Sequence, residues 1–507
     1  MRPSKAILLS LLSFGLLALA LPPKPLGPGA LVFLAPWFYM LKRTNQKTAL
    51  LSSFLGGFLF NAISVYWLYH VGAVAPAALI FSGIFLLVSF LSLFTLLCSY
   101  VFIKLKDIRL GKFSALWLFP FFWAGLEVLQ TKGDLSFPWL SIGLVFGNSL
   151  ELMQSFALFG VFGVSVIIIV SNMCLAEAFT QKKLALVPLA IAALLYAGGF
   201  AAIKYNEQFK KESSNLVVAV VQPSIHQTEK WSRAYYDSVM QQTWDLFKTL
   251  DPSNIDLIIF PETAIPNFIN ASYNEQDYLY DYAVKNNTAI VVGALNRVRN
   301  DKRKKRFDIY NSAFLFNSGY PFLEYRKIRL VPFSEKMPFD DIFPIINYVD
   351  LGSGDFSEGD SLSIWQPGNF SPLICYEAIY SSILRKAKRR GAKFIANITN
   401  DGWFYTSPGP YQHFNLVRAH AVANGIGVIR AANTGISAFI EANGRIVEET
   451  KLFEKRIITG IAPTETRFTP YSIIGGYIEL ALLAFLLLVP ILLFTKRQNA
   501  KMAVSKS

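Results

Sequence analysis

The chain has 507 residues, of which 53% are hydrophobic and 16% charged, and its mean hydropathy is +0.38. This composition excludes an ordinary soluble protein and indicates a membrane protein with room for more than one domain. A net charge of +14 is compatible with nucleic-acid binding, but in membrane proteins basic residues mark cytoplasmic loops, so their position along the chain decides.

Met1 to about Tyr205 is a series of apolar stretches separated by short charged or Pro/Gly-rich turns. Most approach the ~20 residues that a helix needs to cross the hydrocarbon core. The second is short and contains Pro36, and the first has a signal peptide as its alternative, although further spans follow at once. The predicted spans are Ala6 to Leu21, Ala30 to Leu41, Ala49 to Tyr69, Ala77 to Ile103, Phe113 to Leu129, Phe156 to Phe179 and Leu184 to Ile203.

Loop charges predict the orientation of these spans. With a cytoplasmic N-terminus, the outside loops carry only Lys24 and Lys132, whereas the inside segments carry most of the basic residues. This bias accounts for much of the net positive charge, so nucleic-acid binding is not needed to explain it. The inside residues are Arg2, Lys5, Lys42, Arg43, Lys47, Lys104, Lys106, Arg109, Lys112, Lys182 and Lys183.

Seven spans place the following segment on the outer face of the membrane. A last apolar run, Ile473 to Phe494, returns the chain to a basic inside tail. The predicted divisions are therefore a membrane domain at 1–205, an extracytoplasmic domain at 206–470, a C-terminal transmembrane helix at 471–495 and a cytoplasmic tail at 496–507. The outer segment is long enough for one globular domain.

The outer segment alternates β-branched apolar runs with helical periodicity, which predicts an α/β domain with a mixed sheet. A basic run, Lys302 to Arg306, is predicted to be a solvated loop tip, with a phospholipid-headgroup contact as its alternative. Predicted helices are Tyr235 to Leu250, Asp277 to Asn286, Ser381 to Arg389 and Gln412 to Asn424. Predicted strands are Leu216 to Val221, Ile255 to Phe260, Ala289 to Leu295, Ser312 to Phe316, Leu373 to Cys375, Phe394 to Ile398, Val428 to Ala431 and Ser437 to Ile440.

Three polar residues stand where apolar runs in this domain end. Glu262 follows the run IIFP, Lys327 follows FLEYR and Cys375 follows FSPLI. α/β proteins place their ligands just beyond strand ends. Taken singly, each residue has an ordinary alternative: a helix-start carboxylate, a surface charge and a small buried hydrophobe.

Together the three residues have a mechanistic logic. Glu262 can take the thiol proton of Cys375 as general base, the thiolate can attack a carbonyl, and Lys327 can stabilise the oxyanion with a backbone N–H. The helix predicted from Ser381 would follow the cysteine and favour a thiolate. Cys98 and Cys174 lie in apolar spans and are interpreted as core residues, and three cysteines are too few for a disulfide framework.

Three segments, in order, resemble the signature motifs of the nitrilase superfamily: PET at 261–263, YRK at 325–327 leading into LVPFSE at 330–335, and ICYE at 374–377. Together with the helices before and after them, they resemble one of its families, the apolipoprotein N-acyltransferases of bacterial inner membranes. Further similar stretches are VVQP at 220–223 with Lys230-Trp231, FPWL at 137–140, GVFGVS at 160–165, TNDGWF at 399–404, QH at 412–413 and RAANTGIS at 430–437.

The resemblance implies an αββα sandwich with a Glu262, Lys327 and Cys375 triad, outside a membrane domain of about eight helices. It implies transfer of an acyl chain from a phospholipid, with phosphatidylethanolamine as the expected donor, to the α-amino group of the S-diacylglyceryl cysteine of an apolipoprotein. The route is ping-pong through a Cys375 thioester, without cofactor, metal or nucleic acid. Glu335 is expected to support the triad, Tyr376 and Glu377 to shape the pocket, and Trp231 to contact an acyl chain.

The chain departs from the family pattern at two places. The segment His420 to Gly427 replaces a usually charged helix face with mostly apolar or small residues, and Arg329 stands where the family usually has histidine. Neither departure touches the triad.

Other polar residues leave alternatives open. Glu127 lies in an apolar span and is expected either to be functional or to make a hydrogen bond within the bundle. His413 and His420 lie seven residues apart on one predicted helix, a spacing that does not chelate a metal as an i, i+4 pair does. The sequence also leaves two other functions open: a membrane-tethered amidase or nitrile hydrolase with water as acceptor, and a transporter or receptor whose outer domain only binds.

Overall fold

The computed structural model describes residues 1–71, 77–178, 180–208, 215–301, 307–339, 342 and 355–505; the basic run Lys302 to Arg306 lies outside them. The chain forms two compact units, Met1–Tyr205 with Ile473–Ser507, and Asn206–Ser472.

The first unit is built from helices, with a small hairpin, β1 (Arg109–Leu110) and β2 (Phe113–Ser114), between α6 and α7. The helices are α1 (Pro3–Ala20), α2 (Ala30–Phe33), α3 (Ala35–Arg43), α4 (Gln46–Val65), α5 (Leu68–Val71), α6 (Ala77–Leu105), α7 (Phe119–Leu129), α8 (Leu150–Met153), α9 (Phe156–Glu177), α10 (Val187–Gln208) and α16 (Pro470–Ser505). In the described ranges, six stretches are long and apolar enough to cross a membrane: Pro3–Ala20, Gln46–Val65, Ala77–Leu105, Phe156–Glu177, Lys182–Gln208 and Pro470–Lys496.

Two of the predicted spans are shorter than the sequence pattern suggests. The second is broken at Leu34 into α2 and α3, because Pro36 sits in the first turn of α3, where its missing N–H is tolerated and its ring prevents a continuous helix. The fifth begins with strand β2 and a 3₁₀ turn, so that only Phe119–Leu129 is α-helical. Apolar composition continues across both interruptions and therefore does not reveal them.

A polar side chain of α9 supplies hydrogen-bond partners to the backbone at the Leu34 break. Asn172 accepts a hydrogen bond from the Leu34 N–H at 2.7 Å and donates one to the Ala30 carbonyl at 2.7 Å. Non-helical backbone at membrane depth needs partners of this kind inside the protein, since lipid offers none.

The second unit contains two sheets. Its strands are β3 (Val217–Gln222), β4 (Leu257–Ile259), β5 (Ile265–Phe268), β6 (Ala289–Arg299), β7 (Phe307–Asn317), β8 (Tyr320–Arg326), β9 (Phe370–Ile374), β10 (Phe394–Thr399), β11 (Gly427–Ala432), β12 (Ala438–Ile440), β13 (Ile446–Glu449) and β14 (Arg456–Ile461). One sheet has seven strands in the order β14-β3-β4-β6-β7-β8, with β5 paired to β6; the other has five in the order β13-β12-β11-β10-β9. Both mix parallel and antiparallel pairs.

Helices cover the outer faces of the two sheets. They are α11 (Gln227–Lys230), α12 (Tyr236–Phe247), α13 (Tyr273–Asn286), α14 (Ser381–Arg389) and α15 (Gly409–Asn424). Strand alternation sorts the core: Val218 and Val220 pack between the sheets with residues of β9 to β11, whereas Ala219 and Val221 pack against α12 and α13. The layers are therefore helix, sheet, sheet, helix, the predicted sandwich.

Candidate active site

Glu262 lies in a tight turn just beyond β4. Its side chain is buried, and the next residue, Thr263, has a left-handed φ of +47°. The Lys230 ammonium, also buried, donates to the Glu262 carbonyl at 2.9 Å. Burial lowers the pKa of Lys230 to about 7, against the attraction of Glu262. The hydrogen bond from Lys230, the last residue of α11, therefore fixes the backbone that carries the Glu262 carboxylate.

The same turn rests on the backbone of β6 at Gly293. A Cβ at this position would lie 2.5 Å from the Thr263 nitrogen and 2.7 Å from the Glu262 Cα. These contacts are with backbone atoms that cannot rotate away, so the close approach requires glycine.

Lys327 follows β8 directly and is 1% exposed. Its Nζ lies 2.7 Å from Oε1 of Glu335 and 3.5 Å from Oε1 of Glu262. Asn311, on the neighbouring strand β7, donates to Oε1 of Glu262 at 2.7 Å and to Oε1 of Glu335 at 3.2 Å. The two carboxylates therefore share one ammonium and one amide.

Glu335 is held in place by its own local turn. Its Oε2 accepts the Val331 N–H at 2.9 Å, and its backbone N–H donates to the Val331 carbonyl at 2.9 Å. The turn fixes one carboxylate oxygen and leaves the other for Lys327.

Cys375 is a half-buried residue at the end of β9 and has a left-handed φ of +51°. Such a φ is strained for a residue with a Cβ and persists only where surrounding contacts enforce it. A short 3₁₀ helix, Cys375–Ile379, separates the cysteine from α14. The helix predicted after Cys375, Ser381 to Arg389, is α14 with the same bounds.

The electrostatics of the site favour a neutral thiol beside a charged lysine. Burial raises the pKa of the Cys375 thiol, the Glu262 carboxylate raises it further, and Lys327 only partly offsets them. Burial would lower the pKa of Lys327, but Glu335 and Glu262 outweigh it and hold that pKa above its usual range. Cys375 therefore needs a base to become a nucleophile.

Glu377 supports the cysteine from inside the domain. It is fully buried, and its carboxylate accepts the N–H groups of Ile374 and Ile328 at 2.6 Å each and the Tyr325 hydroxyl at 2.8 Å. Burial raises the pKa of Glu377 to about 7 despite these donors. It joins the strand before Cys375 to the segment after Lys327.

The remaining predicted residues surround this centre. Tyr376 is buried, with its ring 5.4 Å from that of Tyr380 in an edge arrangement, and the Arg329 guanidinium lies 5.2 Å from the centre of the Tyr380 ring. Arg329, the family departure, thus packs beside the nucleophile's segment. Trp231 is 42% exposed at the end of α11.

A buried ionic cluster lies behind Cys375 and was not assigned from the sequence. Asp401 accepts hydrogen bonds from Arg430 at 2.8 Å (Oδ2) and is joined to Nδ1 of His413 at 2.8 Å (Oδ1). Arg430 and His413 hold the pKa of Asp401 well below its usual range, although burial opposes this. Burial and Arg430 lower the pKa of His413, which also contacts the Cys375 backbone. The TNDGWF and QH stretches supply two of these residues, and RAANTGIS the third.

The altered segment from His420 to Gly427 lies in the interior of the second unit. Asn424 donates to the Ser381 hydroxyl at 2.9 Å, and Gly425 ends α15 in a left-handed conformation. Burial lowers the pKa of His420 to about 4, with Arg385 contributing. The small and apolar residues therefore fit a packed contact with α14.

Glu127, in the first unit, makes hydrogen bonds within the helix bundle. It accepts the indole N–H of Trp123 at 2.9 Å, the Ile142 N–H at 2.9 Å and the Ser165 hydroxyl at 2.5 Å. These donors satisfy the buried carboxylate and join α7 to α9 and to the 3₁₀ helix Ile142–Asn148. The predicted hydrogen bonding within the bundle is thus present.

Comparison with known families gives two matches. Residues 217–471 match the carbon-nitrogen hydrolase model, and residues 13–174 match the model of the apolipoprotein N-acyltransferase N-terminal domain. The two matched segments fall in different compact units of the chain.

Curated relatives span nearly the whole chain. A protein of Chlorobaculum tepidum is 31% identical, with 92% of this chain and 93% of its own length covered, and one of Haemophilus influenzae is 30% identical, with 97% and 95% covered. Both are named apolipoprotein N-acyltransferase. Among solved structures, Nit3 of Saccharomyces cerevisiae, a member of the nitrilase superfamily, is 19% identical, with 52% of this chain and 97% of its own covered and a TM-score of 0.37.

Proposed function

Since the chain belongs to the apolipoprotein N-acyltransferase family, we propose that its acyl transfer uses Cys375 as nucleophile, Glu262 as general base and Lys327 as oxyanion stabiliser. The observation that carries this proposal is the buried pairing of Lys327 with two carboxylates beside a cysteine whose pKa is raised. Such a thiol is inert without a base, and Glu262 is the carboxylate that acts on its pKa most strongly.

In the first half-reaction, Glu262 removes the thiol proton as the sulfur of Cys375 attacks an ester carbonyl of a phospholipid. The oxyanion of the tetrahedral intermediate is stabilised by the Lys327 ammonium and a backbone N–H. When the intermediate collapses, the carbon–oxygen bond breaks, Glu262 returns the proton to the leaving oxygen, and a lysophospholipid departs. The acyl chain remains on Cys375 as a thioester.

In the second half-reaction, the α-amino group of the diacylated cysteine of an apolipoprotein attacks the thioester. Glu262 accepts the proton that the nitrogen loses, and Lys327 again stabilises the oxyanion. Collapse breaks the carbon–sulfur bond, the amide departs, and the proton returns to Cys375. Glu262 can be the base in both half-reactions because in each it accepts one proton and then returns it.

The supporting residues have roles that follow from their contacts. Glu335 and Asn311 hold Lys327 and Glu262 in one geometry. Glu377 secures the strand that presents Cys375. Trp231 is partly exposed and is proposed to contact an acyl chain, and Tyr376 to bound the pocket.

We propose phosphatidylethanolamine as the acyl donor and the periplasmic face of the inner membrane as the location of the catalytic domain, with both termini cytoplasmic. The support for this orientation is the excess of basic residues in alternate loops. Both substrates are anchored in the bilayer, so a membrane-held site gains effective concentration from their confinement.

The test supplies purified full-length protein with acyl-labelled phosphatidylethanolamine, with and without a diacylated lipopeptide. We expect label to appear on the peptide amine and only a stoichiometric burst of lysophospholipid when the peptide is omitted. Continuous release of labelled fatty acid without acceptor, and none on the peptide, would instead establish a hydrolase.

Gly293→Ala is expected to lower transfer about 100-fold, because an ångström-scale displacement of a catalytic group costs this much. The added methyl has to push the Glu262 turn away from Lys327 and Cys375, since the crowding atoms are backbone. The measurement is the transfer rate together with the thermal unfolding midpoint in detergent.

Gly319→Ala is the matched control, because its new Cβ would come no closer than 3.4 Å to the Asn317 side chain. Transfer by this variant should be unchanged. Unchanged transfer by Gly293→Ala would show that the position of Glu262 is not critical.

A further inference from the structure

Thr399 is a fully buried residue that adjoins the nucleophile and that the mechanism above leaves unused. It is the last residue of β10, which runs parallel to β9 with Ile398 paired to Ile374. This register puts Thr399 beside Cys375, where its hydroxyl, as a potential donor to the sulfur, opposes the burial that raises the pKa of the Cys375 thiol. The same hydroxyl also donates to Oδ1 of Asp401 at 3.3 Å.

A threonine hydroxyl has one proton and cannot donate to two acceptors at once. The bond to Asp401 is the weakest of those that Asp401 accepts, since Arg430 and His413 approach at 2.8 Å. Asp401 therefore retains two strong partners if the hydroxyl turns away. A thiolate, by contrast, needs a donor in this desolvated place, and hydrogen bonds to charged sulfur are stronger than those to a neutral thiol.

We propose that Thr399 is a further catalytic residue, whose hydroxyl turns from Asp401 to the sulfur of Cys375 whenever that sulfur carries negative charge. The proton stays on Thr399 throughout, and only the direction of the O–H bond changes. The charge arises when the thiol is deprotonated and again when the thioester breaks. The inference rests on the proposed function, in which Cys375 is the nucleophile.

The buried cluster of Asp401, Arg430 and His413 orients the Thr399 hydroxyl. Arg430 and His413 fix Asp401, and Asp401 keeps the hydroxyl oriented while Cys375 is a thiol. The donor is consequently ordered before charge appears, which avoids a reorganisation cost during the reaction.

The test measures thiolate formation without any substrate. Full-length protein in detergent is alkylated with iodoacetamide between pH 7 and 10, below the raised pKa of Cys375, where the rate follows the small thiolate fraction at each pH, and the adduct on Cys375 is quantified by mass spectrometry. Thr399→Val, which is nearly isosteric, is expected to slow alkylation about 10- to 100-fold and to move the pH profile upward. Thr399→Ser, which keeps the hydroxyl, should stay within about threefold of the wild type.

Two further variants separate this role from a loss of folding. Thr243→Val makes the same substitution at a buried threonine of α12 whose hydroxyl donates to the Val239 carbonyl at 2.9 Å, and it should alkylate normally. Thr399→Ala removes the hydroxyl without the second methyl and should reproduce the effect of Thr399→Val if that variant unfolds.

Equal pH profiles for Thr399→Val or Thr399→Ala and the wild type would overturn the proposal. So would an equal slowing by Thr399→Ser, since that would trace the effect to the lost methyl. Neither result touches the proposed function, which stands or falls on transfer by the wild-type protein.

Discussion

Cys375→Ala should abolish transfer from phospholipid to lipopeptide, lowering the rate by at least about 10⁴-fold, because removal of a covalent nucleophile leaves only binding and electrostatic catalysis. No thioester forms, so the burst of lysophospholipid disappears with the transfer. Cys375→Ser is expected to be equally inactive, since a hydroxyl is far harder to deprotonate than a thiol and Glu262 is a weak base.

The measurement is acyl transfer together with labelling by an electrophilic phospholipid analogue. Label should be found on Cys375 in the wild type and be lost in both variants. Cys174→Ala is the matched control, because Cys174 is buried in α9 and has no part in the site. Full transfer by Cys375→Ala would exclude the cysteine mechanism and favour a binding function for the second unit.

Glu262→Gln should lower transfer about 10²- to 10⁴-fold at neutral pH, the usual contribution of a general base. The substitution keeps the shape of the side chain. It removes the group that accepts the thiol proton. Burial raises the pKa of the Cys375 thiol, so the thiol does not ionise readily without a base. Lys327 keeps its contact with Glu335 at 2.7 Å, so the ammonium remains paired.

The pH dependence distinguishes the base from a structural carboxylate. Without Glu262 the proton has to pass to hydroxide, so the residual rate should rise about tenfold per pH unit below the thiol pKa. The control is Glu324→Gln on β8, whose carboxylate accepts from Asn296 and Ser312 outside the catalytic group. A Glu262→Gln rate near that of the wild type would assign the proton transfer to another residue.

The triad could be predicted because each member interrupts an apolar run at a strand end. Short, mostly apolar runs mark β4 and β9, which are buried along their whole length, and the sequence shows directly that a polar residue follows each run. Helix α14 was likewise predictable with the bounds Ser381–Arg389, since its basic and apolar residues alternate with helical spacing.

The partners of the triad could not be predicted in the same way. Asn311 meets Glu262 through strand pairing across β6 and β7, and Arg430 meets Asp401 through the pairing of β11 with β10. Such contacts depend on the order of the strands in the sheet, and the residues of one short segment do not reveal that order. The sequence shows Lys230 only as part of a motif, whereas its buried hydrogen bond to the Glu262 carbonyl fixes the base.

Strand β8 is absent from the predicted strands, although the run FLEYR before Lys327 was interpreted as a strand end. Its sequence, YPFLEYR, includes a proline and two charged residues, so it does not resemble a buried apolar strand. The two short spans resemble continuous helices in the sequence because hydropathy averages over the proline break in the second and over the strand and 3₁₀ turn in the fifth.

Strand β3 opens the second unit and β14 closes it, and the two are antiparallel neighbours with Val217 opposite Ile461. During synthesis, one edge of the seven-stranded sheet is therefore unfinished until the ribosome has passed residue 461. The seven-stranded sheet therefore stays incomplete, with an edge open to wrong pairing, while nearly all of the unit is synthesised. Helix α16 follows within a few residues, so closure of the sheet and insertion of the last hydrophobic segment are nearly simultaneous events in biogenesis.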